Sequence, residues 1–127
     1  MTFTRAIVLI ASMAGLVGCA AWPQQDLSLS QSIRPGISPD QVISIMGEQP
    51  VATEFSRNYQ EWHYCDSDIW DGSDHKFVAV YFLDEEVIGM KPYSVNVKGD
   101  GSADCRAYIK KGNYTEPDVI KEYRLNP

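Results

Sequence analysis

Phe77-Val78-Ala79-Val80-Tyr81-Phe82-Leu83 is the stretch on which the fold turns. It is apolar from end to end and rich in β-branched and aromatic residues, so it reads as a strand buried on both faces and therefore central. Asp84-Glu85-Glu86 turns the chain, and Val87 to Met90 returns as an antiparallel partner. Pro92 has no N–H to give a ladder, which confines the far end of that partner to an edge or a bulge. Tyr93 to Val97 extends it, and Lys98-Gly99-Asp100-Gly101 is a turn by composition.

Upstream, Tyr59 to Cys65 alternates. Trp62 and Tyr64 share one face and His63 and Cys65 the other. Ala52 to Arg57 forms the strand before it, with Asn58 in the turn, and Asp66 to Asp74 is a polar connection to the central strand. Cys105 to Lys110 reads as one more short strand.

Further upstream the period changes. Ser38-Pro39-Asp40-Gln41 is a capping box with proline at the first helical position. Val42, Ile45 and Met46 follow at helical spacing, and Gly47 and Pro50 end the helix. Before it, Asp26 can cap a brief helix, Leu27 to Ile33, broken by Arg34-Pro35-Gly36. Thr115-Glu116-Pro117-Asp118 can open a last helix, Glu116 to about Tyr123. The expected plan is therefore α+β: two short N-terminal helices packed on a small antiparallel meander, with an extra C-terminal strand and helix.

The chain begins with a different kind of signal. Arg5 is followed by an apolar run, Ala6 to Val17, and by Leu16-Val17-Gly18-Cys19. A basic head, an apolar middle and a small-residue cleavage site make a secretory signal. The run falls short of the roughly 20 residues that span a bilayer. A cysteine at the first mature position makes the motif similar to the lipobox of bacterial lipoproteins, in which that cysteine is acylated. The chain then divides into a signal over 1–18, a lipid tether over 19–25 beginning at Cys19, and one domain over 26–127. Alanine at position 20 resembles the outer-membrane-sorted class, whose address is the outer membrane's periplasmic face.

Removing 1–18 leaves 109 residues, one domain's worth, and takes the net charge from −6 to −7 with the loss of Arg5. That acidity excludes a phosphate-binding stripe, so nucleic acid is not an expected partner. With Cys19 committed to lipid, Cys65 and Cys105 remain, and two cysteines in an oxidising compartment read as one disulfide. A redox pair would call for C-x-x-C spacing, which is absent.

Ile33-Arg34-Pro35-Gly36-Ile37-Ser38-Pro39-Asp40-Gln41-Val42, continued by Ile45-Met46-Gly47-Glu48-Gln49-Pro50, resembles the SmpA/OmlA (BamE-like) family. Trp62-His63-Tyr64 and the strand Val78 to Glu86 follow that family's pattern as well. The likeness covers about Ile33 to Met90. It implies an outer-membrane lipoprotein of ααβββ architecture, a non-enzymatic accessory of the machinery that inserts β-barrels. The chain departs from the pattern at Pro35, in the tail from about Tyr93, and in the Cys65/Cys105 pair, which is closer to the osmotically inducible lipoprotein branch.

Two chemistries compete with binding. His63 and Cys65 on one strand face suggest a thiol nucleophile, yet a disulfide disables it and no orienting group accompanies the pair. Asp66, Asp68, Asp71 and Asp74 form an acidic run, but the third aspartate arrives one residue late for a calcium loop and no glutamate closes it. The expectation is no enzyme, no cofactor and no metal. Trp70, between those aspartates, is either a partner anchor or a lid folded over the sheet. The reading is a lipid-anchored protein-binding accessory in the envelope, serving outer-membrane protein assembly or envelope integrity. A stress-related, conjugation-associated or secretion-associated lipoprotein is the alternative. Its candidate contact residues are Asp66, Asp68, Trp70, Asp71 and Asp74, with the tail after Gly112 as second choice.

Overall fold

In the computed structural model the protein is described over residues 22–70, 74–97 and 101–118. Four antiparallel strands, β1 (Ala52–Ser56), β2 (Tyr59–Asp66), β3 (Asp74–Leu83) and β4 (Glu86–Asn96), form one sheet in sequence order. The strand expected to be central lies inside the sheet, with β2 on one flank and β4 on the other. Two-residue turns close the outer hairpins. Asp84 and Glu85 both take positive φ, as a turn matched to strand twist requires. The two hairpin ends are tied together, the Asp84 N–H donating to the Asn58 carbonyl at 2.9 Å.

Only one α-helix lies wholly within the described residues, α1 (Pro39–Met46). Its cap is the one the sequence announces. Ser38 Oγ accepts the Gln41 N–H at 3.2 Å, Gln41 Oε1 accepts the Ser38 N–H at 2.8 Å, and Gly47 ends the helix at φ 72°. The α+β plan of two helices packed on a meander is therefore corrected: the protein is mostly sheet. Leu27–Ser32 is a 3-10 turn rather than a helix. Seven residues between Asp26 and the Arg34-Pro35 break cannot repay helix nucleation. Serine also competes for the backbone there, since Ser30 Oγ donates to the Leu27 carbonyl at 2.6 Å.

The C-terminal strand is corrected too. Cys105–Tyr108 is a 3-10 turn, because Cys105 is fastened to β2 and Asp104 caps the Arg106 N–H at 3.0 Å. This segment crosses a sheet face instead of lengthening an edge. The expected last helix, Glu116 to about Tyr123, falls largely outside the described residues. Val87–Met90 and Tyr93–Val97, read as a strand and its extension, belong to one strand to Asn96 with Pro92 on the sheet edge. Its irregularity lies at Ile88, where Tyr81 pairs with Gly89 but Phe82 with Val87.

Both sheet faces are covered, which explains why β3 is apolar on both. On one face Trp62, Tyr64, Val78, Val80 and Phe82 pack under Ile33, Val42 and Met46 from the 3-10 turn and α1. On the other, Cys65, Phe77, Ala79, Tyr81 and Tyr93 lie beneath a strap that supplies Cys105, Tyr108, Ile109 and Tyr114. The strap returns to β4 at Asn113, whose N–H donates to the Ser94 carbonyl at 3.2 Å. This approach needs Gly112, at φ 63°, where an added Cβ would overlap the Ser94 carbonyl oxygen and stand 2.9 Å from Val95 Cα. Left-handed backbone costs an L-residue about 1–2 kcal/mol before any overlap. Gly112→Ala is thus expected to lose about 2 kcal/mol or more, read as a lowered urea midpoint.

Candidate functional site

The sequence-derived candidates gather at one end of the sheet, where β2 stops and β3 begins. Trp70 is 92 % exposed, so it is not a lid over the core. Its turn is braced. The Asp68 carboxylate accepts the Trp70 N–H through Oδ1 at 3.1 Å and the Asp74 N–H through Oδ2 at 3.3 Å. The Asp68 N–H in turn donates to Nδ1 of the buried His75 at 3.1 Å, and His75 Nε2–H donates to the Ser102 carbonyl at 2.8 Å. These two bonds assign the neutral tautomer protonated at Nε2. The carboxylates of Asp66 and Asp68 are near neighbours. Burial pushes the Asp66 carboxyl up, Lys76 opposes that, and Asp26 and Asp68 reinforce it. Asp71 and Cys19 lie outside the described residues.

The start of the described chain lies along the same end. The Ser67 N–H donates to the Pro23 carbonyl at 2.8 Å, and Gln24 pairs with Asp66 as an isolated bridge. Gln25 is buried and holds three groups: its N–H donates to the Cys65 carbonyl, its Oε1 accepts the Cys65 N–H at 2.9 Å, and its Nε2 donates to the Gln49 carbonyl at 2.8 Å. Within the stretch read from sequence as the short lipid tether, residues 23–25 are hydrogen-bonded to the domain. Gln24 and Trp70 line one shallow depression of about 250 Å³.

Cys65 and Cys105 are joined, with both residues fully buried. The thiol–histidine reading therefore has no thiol. His63 does lie on the Cys65 face, but its nitrogens are taken by Tyr93 and Glu61 at 2.9 and 3.0 Å. Among the described residues no three His, Cys, Asp or Glu side chains are grouped as a metal site requires, and none forms a helix long and apolar enough to cross a membrane.

Sequence reasoning passed over a buried polar cluster beneath the strap. Glu61 is fully buried at its centre. Its Oε1 accepts from His63 Nε2 and from the Tyr114 hydroxyl, and its Oε2 accepts from the Tyr59 hydroxyl at 3.2 Å. Tyr81 donates to the Tyr114 hydroxyl at 3.0 Å. The Tyr93 hydroxyl accepts the Lys110 N–H at 3.1 Å, leaving its own proton for His63 Nδ1. Lys110 Nζ lies 3.0 Å from Glu54 and 3.9 Å from Glu61, bridging two carboxylates on paired strands.

Burial by itself would raise the Glu61 pKa. The hydrogen bonds from His63 and Tyr114 and the charge of Lys110 outweigh it and hold the carboxyl at about 2. Tyr114 is pushed up by burial and by its bonds to Glu61 and Tyr81, and Tyr81 to about 12 by burial first. A cluster whose carboxylate is buried and hydrogen-bonded from both β2 and the strap serves to fasten the strap. The available signal was Glu61 itself, an acidic residue in step with Tyr59, His63 and Cys65 on one face.

The opposite end of the sheet carries the hairpin turns. Phe55, on the edge strand β1, is 67 % exposed there, and Arg57, Asn58, Gln60, Asp84 and Glu85 line a polar hollow beside the turns. No known family model matches the chain, and no curated protein does.

Proposed function

We propose that this protein is a lipid-anchored envelope lipoprotein, held at the periplasmic face of the outer membrane through Cys19, that works as a non-enzymatic protein-binding accessory. The observation that carries the reading is the Cys65–Cys105 bond in a chain opening with Leu16-Val17-Gly18-Cys19. Disulfides persist in oxidising compartments, and a secretory signal ending at cysteine leads to one. Anchoring restricts the domain to a thin layer and raises the effective concentration of its contact surface for a membrane-associated partner. The resemblance to the SmpA/OmlA (BamE-like) family, over Ile33 to Met90, makes outer-membrane protein assembly the first role to test. A stress-related or secretion-associated role is the second.

The protein-contact surface proposed here is the hairpin end, away from the tether. An aromatic side chain exposed on an edge strand gives a partner both an apolar anchor and unpaired backbone groups. A photo-crosslinking residue at position 55 of the lipidated protein is expected to capture an envelope protein. Phe55→Ala is expected to weaken recovery of that partner about tenfold, as loss of a hot-spot aromatic does. Recovery of the barrel-insertion complex would support the assembly role, and recovery of a different envelope complex the alternative. Unchanged recovery on Phe55→Ala would move the contact surface elsewhere.

A further inference from the structure

We infer that the tether end of the domain rests on the bilayer, with Trp22 and Trp70 seated in the phospholipid headgroup layer and Ile69 beside them. The inference rests on the acylation of Cys19 proposed above. Cys19 is three residues from Trp22, so their Cα atoms stay within about 11 Å of each other, even where the chain is fully extended. Trp70 is placed by a separate constraint. The Pro23 carbonyl accepts the Ser67 N–H at 2.8 Å, and Trp70 is three residues beyond Ser67. The backbone positions that carry both indoles therefore lie within about 11 Å of one hydrogen-bonded point, at the end of the molecule the acyl chains hold against the membrane.

The side chains suit that position. Tryptophan couples a large apolar ring to one N–H donor and is enriched where one end of a side chain is apolar and the other wet. Trp22, Ile69 and Trp70 are all exposed, whereas Trp62 is buried in the core. The exposure of Trp70 is not slack in the chain, because Asp68 and His75 brace its turn. Asp66, Asp68 and Asp74 at the same end make the interface one of zwitterionic phospholipid, since anionic headgroups would be repelled.

The test uses the acylated protein in phosphatidylcholine vesicles whose acyl chains carry bromine near the glycerol end. Trp22 and Trp70 are expected to be quenched and blue-shifted, and Trp62 to give an unquenched internal reference. Trp22→Phe and Trp70→Phe are each expected to remove part of the quenchable emission, and together nearly all of it. Adding phosphatidylglycerol is expected not to strengthen the quenching. Acylated protein that floats with the vesicles yet shows no quenching of Trp22 or Trp70 would overturn the inference and leave the anchoring intact. Protein that carries no acyl chain would remove both. In cells, a photo-crosslinker at position 70 is expected to label phospholipid. Capture of a protein there instead would return Trp70 to the role of partner anchor and overturn the inference.

Discussion

Breaking the Cys65–Cys105 bond is expected to lower the melting temperature by about 15–25 °C. The two cysteines are separated by 40 residues, and closing a loop of that size stabilises the folded state by about 4 kcal/mol on the chain-entropy account. Position adds to loop length. Cys65 closes β2, and Cys105 begins the strap that shields one whole sheet face. Without the bond, the strap is held by the Glu61 cluster, Gly112 and the Asn113–Ser94 pairing. Cys65→Ala/Cys105→Ala and reduction of the wild-type protein under unfolding conditions should give the same loss. The check is thermal unfolding followed by circular dichroism with and without reductant. A melting temperature unmoved by reductant, with two free thiols titrated, would show that the strap needs no staple.

Glu61→Ala is expected to cost about 3 kcal/mol or more, because it leaves several buried donors without their acceptor at about 1–3 kcal/mol each. The loss is larger than a methylene count suggests because the other members stay behind. His63 Nε2–H and the hydroxyls of Tyr59 and Tyr114 lose the acceptor that burial gave them, and the partly exposed Lys110 ammonium loses a neighbouring opposite charge. Glu61→Gln keeps the shape but offers a neutral amide, so it should fall between wild type and alanine.

The same group sets an acid limit. Its folded pKa, about 2, lies below the ordinary value of 4.5. The stabilisation is therefore complete above the unfolded pKa and is lost as pH falls from about 5 towards 2. Wild type should lose about 2–3 kcal/mol more than Glu61→Gln over that window. Urea midpoints for the two proteins at pH 6 and pH 3 provide the comparison. A parallel decline in both would assign the acid sensitivity to surface carboxylates.

What was legible in the sequence was chemistry that acts over a few residues. Ser38 and Gln41 satisfy each other's backbone groups, so α1 was readable end to end with Gly47 as its stop. Alternation in β2 gave the two faces because a period of two leaves no other placement. The segment Leu27–Ser32 was misread because apolar spacing ignores how serine draws hydrogen bonds back to the backbone. Cys105–Tyr108 was misread because its apolar residues suit a strand, whereas a covalent bond to a distant strand decides its path.

The buried cluster was out of reach for a related reason. Tyr114 and Glu61 are 53 residues apart and meet only once the strap is laid across the sheet. The acidic run was visible as composition, but the fact that Asp68 spends its carboxylate on two backbone N–H groups was not. Nor was the laying of residues 23–25 against the base of the Trp70 turn.

The central claim is that Cys19 carries the lipid that gives this domain its address. Intact mass measurement of the protein purified from cell envelopes tests it most directly. The account predicts a chain beginning at Cys19, heavier than its sequence by the acyl groups and found with the outer membrane, and a Cys19→Ser form that is neither acylated nor membrane-bound. An unmodified Cys19, or a mature chain beginning elsewhere and recovered in the soluble fraction, would contradict it.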